Sequence, residues 1–426
     1  MGTSPPMNET KSYDNRLEAQ IVCALAFLFL PVAVLATAQT WVLAVAGVLA
    51  ILVIRAIQGR FRLRADIILV SLMVLLAGWA AFSAVWSITP DRAIKSSIRI
   101  ALVFASLVVL IDAARNLDHN QRRRFGHCLV GGTVAGLVLT GIFVISSDIV
   151  SVWLGDAKLT GKELSSFNRT STVIAVLVWP VALVIAQMYN RYAAAAVIVI
   201  SALMLFALAP STPLVAFAVG LIAFVIAWFS HRWGKRFLIL AFAGSVIMIP
   251  LLDLVMPVLT DFLLAHIPWP NSEIHRLVIW QFAAERIFEH PLIGWGLDAS
   301  RAIPGGHTEL FLYQIGTNPV TGQAMPLHPH NALVQIWLEL GLVGIMIVGA
   351  IFSFAVASIP ESNDNHAGPA TLIATAACAF TIAQLGFGIW QGWWMATLGL
   401  IVMIATAISL HKPVPVAPRE ERGESA

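Results

Sequence analysis

The sequence predicts an all-α, polytopic membrane protein of about twelve spans, and three observations carry that prediction. Apolar residues occupy 58% of the 426 positions and charged residues only 12%. With a mean hydropathy of +0.83, this is far from the soluble mixture of about 25% charged residues. Apolar runs near twenty residues, enough at about 1.5 Å per residue to cross hydrocarbon of about 30 Å, recur along almost the whole chain. Finally, lysine and arginine collect in alternate connections, as the excess of basic residues in cytoplasmic loops requires.

Taken in order, the predicted spans are 18–37, 40–57, 66–86, 97–112, 128–147, 170–188, 193–209, 213–230, 237–257, 331–357, 370–389 and 393–410. The first follows a polar stretch and lacks a small-residue cleavage site, so it reads as a retained span. With the N-terminus inside, 17 basic residues, among them Arg55, Arg60, Arg122, Arg123, Arg124, Lys235 and Arg236, fall on the cytoplasmic side and 9 outside, together the 26 of the chain. An even number of spans returns the C-terminus to the cytoplasm, where 411–426 forms a short charged, Pro-rich tail of disordered composition. Cys23, Cys128 and Cys378 are isolated in or beside apolar runs, without metal or redox spacing. The net charge of +3 is explained by topology, and nucleic acid is not implied. The chain reads as a single integral membrane domain, 1–426.

One connection is long. Residues 259–330, between the ninth and tenth spans, form an external loop, and loops of that length are uncommon unless functional or structured. Within it, Ser272 to His290 predicts an amphipathic helix: Ser272 can cap its start, Ile274, Leu277, Val278 and Phe282 repeat at helical spacing, and His290-Pro291 stops it. Gly294-Trp295-Gly296 and Gly305-Gly306 follow, and the later part reads as a flexible flap. A second external loop, Ser147 to Asn168, ends in Asn168-Arg169-Thr170, which also fits a short glycosylation pattern.

The tenth span carries the chemistry. His328-Pro329-His330-Asn331 stands where that span begins, and Gly341 and Gly344 lie eleven and fourteen positions beyond His330. On a continuous helix this is within about 40° of one face, a smooth packing stripe under a chemical head. Outward arginines oppose the topological rule and need a reason: Arg92, Arg99, Arg169, Arg276, Arg286 and Arg301. Their planar donor forks suit phosphate oxygens, so a diphosphate clamp is expected. The plainer alternative is that they neutralise Asp91, Glu163, Glu273, Glu285 and Glu289 or meet anionic headgroups. No carboxylate cluster suited to a metal is present on the outer side, so the chemistry is expected to need no metal and no cofactor. Neutral imidazole makes His330 the natural general base, with His328 as a substitute or assistant. Glu339, nine residues on and facing away from His330, is expected to play a structural hydrogen-bonding role. Asp253 in the ninth span poses the same question.

These residues resemble the O-antigen ligase and polymerase superfamily of bacterial inner-membrane glycosyltransferases. His330-Asn331, nine residues, Gly341, two residues, Gly344 is similar to the ligase signature His-[Asn/Ser/Gln]-x9-Gly-x-x-Gly. Arg276 to Trp280 followed by His290-Pro291-Leu292-Ile293-Gly294-Trp295-Gly296-Leu297 is similar to the family's arginine helix and glycine turn. The resemblance implies a GT-C-like helical fold and transfer of a polymeric glycan from undecaprenyl diphosphate to a sugar hydroxyl of lipid A-core. That transfer would occur at the periplasmic face, in lipopolysaccharide biosynthesis. It implies diphosphate binding by Arg169 and Arg276, joined in the residue reading by Arg99 and Arg301, with His330 as catalyst and His328, Asn331, Gly341, Gly344 and Glu339 in support. One departure is that Val173 stands where an Arg-x3-Leu pattern from Arg169 would have leucine. The alternatives are an O-antigen polymerase, whose Arg-x10-Gly pattern is absent, a protein O-oligosaccharyltransferase, and, from another class, a secondary transporter, which usually gathers polar groups at the midplane.

The charge split makes a direct prediction. An externally active reporter is expected to be silent when fused after Arg124 and active when fused within Gly305 to Pro329; the reverse pattern overturns the orientation.

Overall fold

The computed structural model describes residues 15–60, 63–146, 161–208, 211–266, 271–315, 318–361 and 366–409. Eleven segments are long and apolar enough to cross a membrane, the first being Arg16–Ile57 with 42 residues. A helix of that length would run about 63 Å, twice the hydrocarbon thickness. It is instead two packed helices, α1 (Arg16–Ala36) and α2 (Thr40–Ile57), separated by a 3-10 turn at Thr37–Gln39. Ala36 leaves helical geometry (φ −155°, ψ 59°), and the Thr37 hydroxyl donates back to the Ala33 carbonyl. Counting this pair separately gives twelve crossing helices among the described residues.

The others are α3 (Ile67–Phe82), α4 (Pro90–Arg115), α5 (His119–Ser146), α6 (Gly161–Met188), α7 (Arg191–Leu208), α8 (Ser211–Phe229) and α9 (His231–Met248). After α10 (Leu252–His266) and α11 (Asn271–Glu289), the crossing helices resume with α12 (Ala332–Ala357), α13 (Ala367–Leu385) and α14 (Gly392–Ser409). Local chemistry marks several starts. The Asp66 carboxylate accepts from the Ile68 and Leu69 amides (3.0 and 3.3 Å), capping α3. Pro90 opens α4, where its missing N–H costs nothing. The helices α4, α5 and α6 begin seven to nine residues before the predicted spans, because hydropathy marks only the apolar part of a helix that continues, with its charges, beyond it. The tail 411–426 and residues 147–160 of the second loop lie outside the described residues.

Helix α6 is the centre of the bundle. Every residue from Thr170 to Ile185 is buried, and α1, α5, α7, α8, α13 and α14 pack around it, as expected for a helix apolar on all sides. At the end away from the long loop, Arg55 is buried between two carboxylates, 2.7 Å from Glu18 and 2.8 Å from Asp112. This ties α1, α2 and α4 together, so Arg55 is more than the loop charge its position in the sequence suggests.

The long connection is ordered into a cap. Helix α11 covers Asn271–Glu289, close to the predicted Ser272–His290. Where the sequence suggests a flexible flap, a two-stranded antiparallel sheet forms from β1 (Glu309–Ile315) and β2 (Asn318–Gln323), with Glu309 opposite Gln323 and an irregularity between Phe311 and Tyr313. Leu312, Tyr313 and Val320 pack on Ile274 and Val278 of α11. The Trp280 indole then donates to the Pro329 carbonyl (2.6 Å), anchoring the chain just ahead of His330.

The tenth span departs most from expectation. It is not one continuous helix: Gly341 has φ 69° and ψ −170°. At such a break the carbonyls of Leu338, Glu339 and Leu340 lose the amides four residues on. They are met instead by the Trp295 amide (2.9 Å), the Gly296 amide (2.9 Å) and the Trp79 indole (2.9 Å). The orphaned amides of Leu342 and Val343 donate to Pro291 (2.9 Å) and Leu292 (3.3 Å). The His-Pro-Leu-Ile-Gly-Trp-Gly turn is therefore threaded into the break and completes the helix with its own backbone. The stripe expected from His330 through Gly341 fails for the same reason, since the face count assumed an unbroken helix.

Close approach explains the glycines. A Cβ on Gly341 would stand 2.1 Å from the Leu292 oxygen, and one on Gly294 would stand 2.5 Å from the Glu339 carbonyl carbon. Gly341→Ala is expected to lower stability by at least about 2 kcal/mol through strain at positive φ and displacement of the turn. Gly78→Ala, with nothing within 4 Å, is expected to be neutral or slightly stabilising. Thermal unfolding of both variants in detergent checks the contrast, and equal behaviour would remove the stitched break as a determinant of stability.

Candidate active site

Where the cap meets the bundle, a cavity of about 950 Å³ opens between α2, α4, α14 and the cap. Its polar wall carries Arg92, Lys95 and Arg99 from α4, Arg169 from α6 and Arg301 from a 3-10 turn at Ser300–Ala302. Asp298 is the one carboxylate among the described lining residues. The cavity continues as an apolar groove between Trp41 and Val45 of α2, Leu102 and Leu107 of α4, and Met395 of α14. One space thus offers a strongly cationic head region and a hydrocarbon-like extension.

Each arginine is held differently. Arg99 donates to the Trp390 carbonyl (3.3 Å) and to Ser96 Oγ (3.0 Å). Arg301 lies 3.7 Å from Asp298 Oδ1. Arg169 sits within α6, at the head of its crossing part Phe167–Met188, with its guanidinium carbon 5.8 Å from the centre of the Trp393 ring. Its Nε is buried with no hydrogen-bond partner among the described residues, a costly state for a charged donor that an incoming acceptor relieves. Arg276 is outside this wall. It donates to Thr212 Oγ1 (3.3 Å), and its charge acts on His330. Arg286 pairs with Glu289 and lies over Phe282, so for this residue the plainer reading of charge neutralisation holds.

The two histidines are adjacent, their ring centroids 4.2 Å apart. His328 lines the cavity. The His330 amide donates to His328 Nδ1 (3.2 Å), which leaves the proton of the neutral ring on Nε2, 3.0 Å from Gln391 Nε2. His330 precedes α12 in a left-handed conformation (φ 55°) and is not part of the helix. Asn331 caps α12, its Oδ1 accepting from the Val334 amide (3.0 Å). His330 Nδ1 is 2.7 Å from the Gly386 carbonyl. A carbonyl only accepts, so the proton sits on Nδ1 and Nε2 is left as the acceptor nitrogen. Burial lowers the His330 pKa below its ordinary value; the Gly386 bond partly offsets this, and the charges of Arg276 and His275 add to it. Burial, then His330 and Arg301, push His328 down to about 3. Both rings are therefore neutral at physiological pH.

Several contributors were missed in the sequence. The connection Gly386 to Trp393 supplies the carbonyl that orients His330, the Gln391 beside His328 and the indole over which Arg169 lies. Gly388 permits the approach, since a Cβ there would stand 2.9 Å from the His328 ring. The available signal was a Gly-Phe-Gly-Ile-Trp-Gln-Gly-Trp-Trp run between the last two spans, dense in residues that serve close approach and side-chain hydrogen bonding. Glu339 is completely buried and accepts from Asp298 N, Ser300 Oγ, Gln335 Nε2 and Trp390 Nε1. Gly344 is also buried, and a Cβ on it would stand 2.4 Å from Leu340 Cβ. The side chain of Asp253 lies outside the described set.

Comparison with known proteins agrees with this architecture. The sequence profile of the O-antigen ligase family matches residues 196–349, which take in α11, the cap and the broken span. A protein of Rickettsia bellii carrying the name polysaccharide ligase is 26% identical over 328 residues, 76% of each chain. A Rickettsia conorii protein of the same name is 25% identical over 342 residues, 80% of this chain and 79% of its own. One from Rickettsia prowazekii reaches 32% over 148 residues, 33% of each. The chain is thus similar to the O-antigen ligase family through its cap and broken span, and to proteins named as polysaccharide ligases over about three quarters of its length, while its twelve crossing helices mark it as a multi-pass membrane protein.

Proposed function

We propose that this chain is an O-antigen ligase that transfers a polymeric glycan from undecaprenyl diphosphate to a sugar hydroxyl of lipid A-core. The observation that carries the reading is the amphiphilic cavity: five cationic side chains at one end, an apolar groove at the other, and a buried guanidinium nitrogen of Arg169 lacking an acceptor. A polyprenyl diphosphate has the matching division, with a dianionic head and a hydrocarbon tail. In this reading the acceptor oxygen attacks the anomeric carbon, the bond from that carbon to the diphosphate oxygen breaks, and the diphosphate leaves with the electron pair. His330 Nε2 takes the hydroxyl proton. Arg99, Arg169 and Arg301 stabilise the charge on the leaving group, and Arg276 acts beside His330 on the same anion. The charge split supports an inner-membrane orientation with both termini cytoplasmic and the cap, 259–330, periplasmic.

His330→Ala is expected to lower turnover by about 10² to 10⁴ without unfolding the protein, and His328→Ala by less. The sign of the pH dependence follows from the lowered His330 pKa. A ring that binds its proton more weakly than free imidazole stays a competent base as pH falls through about 6.5, so activity is lost only at lower pH. Transfer measured against pH in the purified enzyme checks this, and near-normal turnover of folded His330→Ala would remove the residue from the mechanism.

The activity itself is read from lipopolysaccharide banding in a strain lacking the gene. Loss of the long ladder with intact core is expected. Core carrying a single repeat unit would indicate a polymerase instead, and an unchanged ladder would exclude both.

A further inference from the structure

Glu339 does not line the cavity, yet two of the cavity's arginines depend on groups that it holds. Its Oε2 accepts from the Asp298 amide (2.7 Å) and from the Trp390 indole (2.7 Å). Its Oε1 accepts from the Ser300 hydroxyl and from Gln335 Nε2 (3.0 Å). These donors come from three separate pieces of chain: the cap, the connection before α14, and α12 itself. From Trp390 the path continues through its carbonyl to Arg99 (3.3 Å). From Asp298 it continues through Oδ1 to Arg301 (3.7 Å). Ser96 closes the circuit, donating to Asp298 Oδ2 (2.8 Å) and accepting from Arg99 Nη2 (3.0 Å).

We propose that Glu339 is a positioning residue that sets the separation of the Arg99 and Arg301 guanidinium groups to that of the two phosphates of the donor, acting only through Trp390 and Asp298. The proposal rests on the diphosphate reading of the cavity. A carboxylate suits the role because every donor aimed at it is an N–H or O–H, and only a group with two acceptor oxygens satisfies all of them. Glutamine has the same shape but turns one acceptor into a donor, which meets another N–H or O–H and pushes either the cap or the Trp390 connection away. The carboxylate would then matter to donor affinity and not to the acceptor or to proton transfer.

The test uses the full-length protein in nanodiscs, with undecaprenyl diphosphate as the binding probe and transfer kinetics for both substrates. Glu339→Gln is expected to weaken undecaprenyl diphosphate binding and raise the donor KM by about tenfold, with acceptor KM near wild type. In an Arg99→Ala/Arg301→Ala background the same change is expected to add less than about twofold, because the groups it positions are gone. A wild-type donor KM in Glu339→Gln, or its full factor retained in the double-arginine background, overturns the proposal and leaves the donor reading standing. Failure of the wild-type protein to bind undecaprenyl diphosphate removes the donor reading itself, and this proposal with it. If Glu339→Gln does not fold, Trp390→Phe deletes the single N–H linking Glu339 to the partner of Arg99; its cycle with Arg99→Ala is judged by the same two outcomes.

Discussion

The structure turns on a broken helix repaired by a loop. Unpaired backbone groups inside a membrane cost several kcal/mol each, so a break in a span persists only where other protein groups meet them. At Gly341 the repair comes from Pro291, Leu292, Trp295 and Gly296 together with the indole of Trp79. Cap and bundle are thereby fused through the backbone. The cap cannot drift as a separate lid without exposing those groups again.

This fusion locates the polar chemistry. Glu339 lies two residues before the break, where the threaded turn wraps it: its backbone carbonyl takes the Gly296 amide and its carboxylate the Asp298 amide and the Ser300 hydroxyl. The cap's Arg301 is thus carried to the wall that α4 and α6 build with Arg99 and Arg169. Across the same span, the sharp reversal at His330 turns its ring to the Gly386 carbonyl, and Asn331 starts the helix. The two ends of the signature therefore do different physical work: the histidine and asparagine define a helix start with an oriented imidazole, and the first glycine admits another backbone.

Much of the fold was legible because a membrane imposes a strong and simple constraint. Length and apolarity located the spans, and an amphipathic pattern marked α11 to within one residue at each end, with the helix starting at Asn271 and Ser272 inside it instead of capping it. The sheet from Glu309 to Gln323 was not legible, because two short strands carry a weak pattern among glycines and prolines and are held by packing on Ile274 and Val278. Of the expected site residues, Arg99, Arg169, Arg301 and His328 do share one cavity. Arg276 lies nearer His330, since its place on α11 turns it toward Thr212.

What the sequence determined by itself was the set of apolar segments, their alternation and the identity of the reactive residue types, because these follow from composition along one dimension. Only the tertiary structure decided that Gly341 breaks its helix, that Arg55 is a buried ion partner, that Gly386 to Trp393 lies against the two histidines, and which nitrogen of His330 is left as a hydrogen-bond acceptor. Each depends on groups brought together from distant positions, for Arg55 the carboxylates of Glu18 and Asp112 and for the others chiefly backbone amides and carbonyls. Backbone groups are chemically identical at every residue and leave no mark in the sequence until the chain is folded around them.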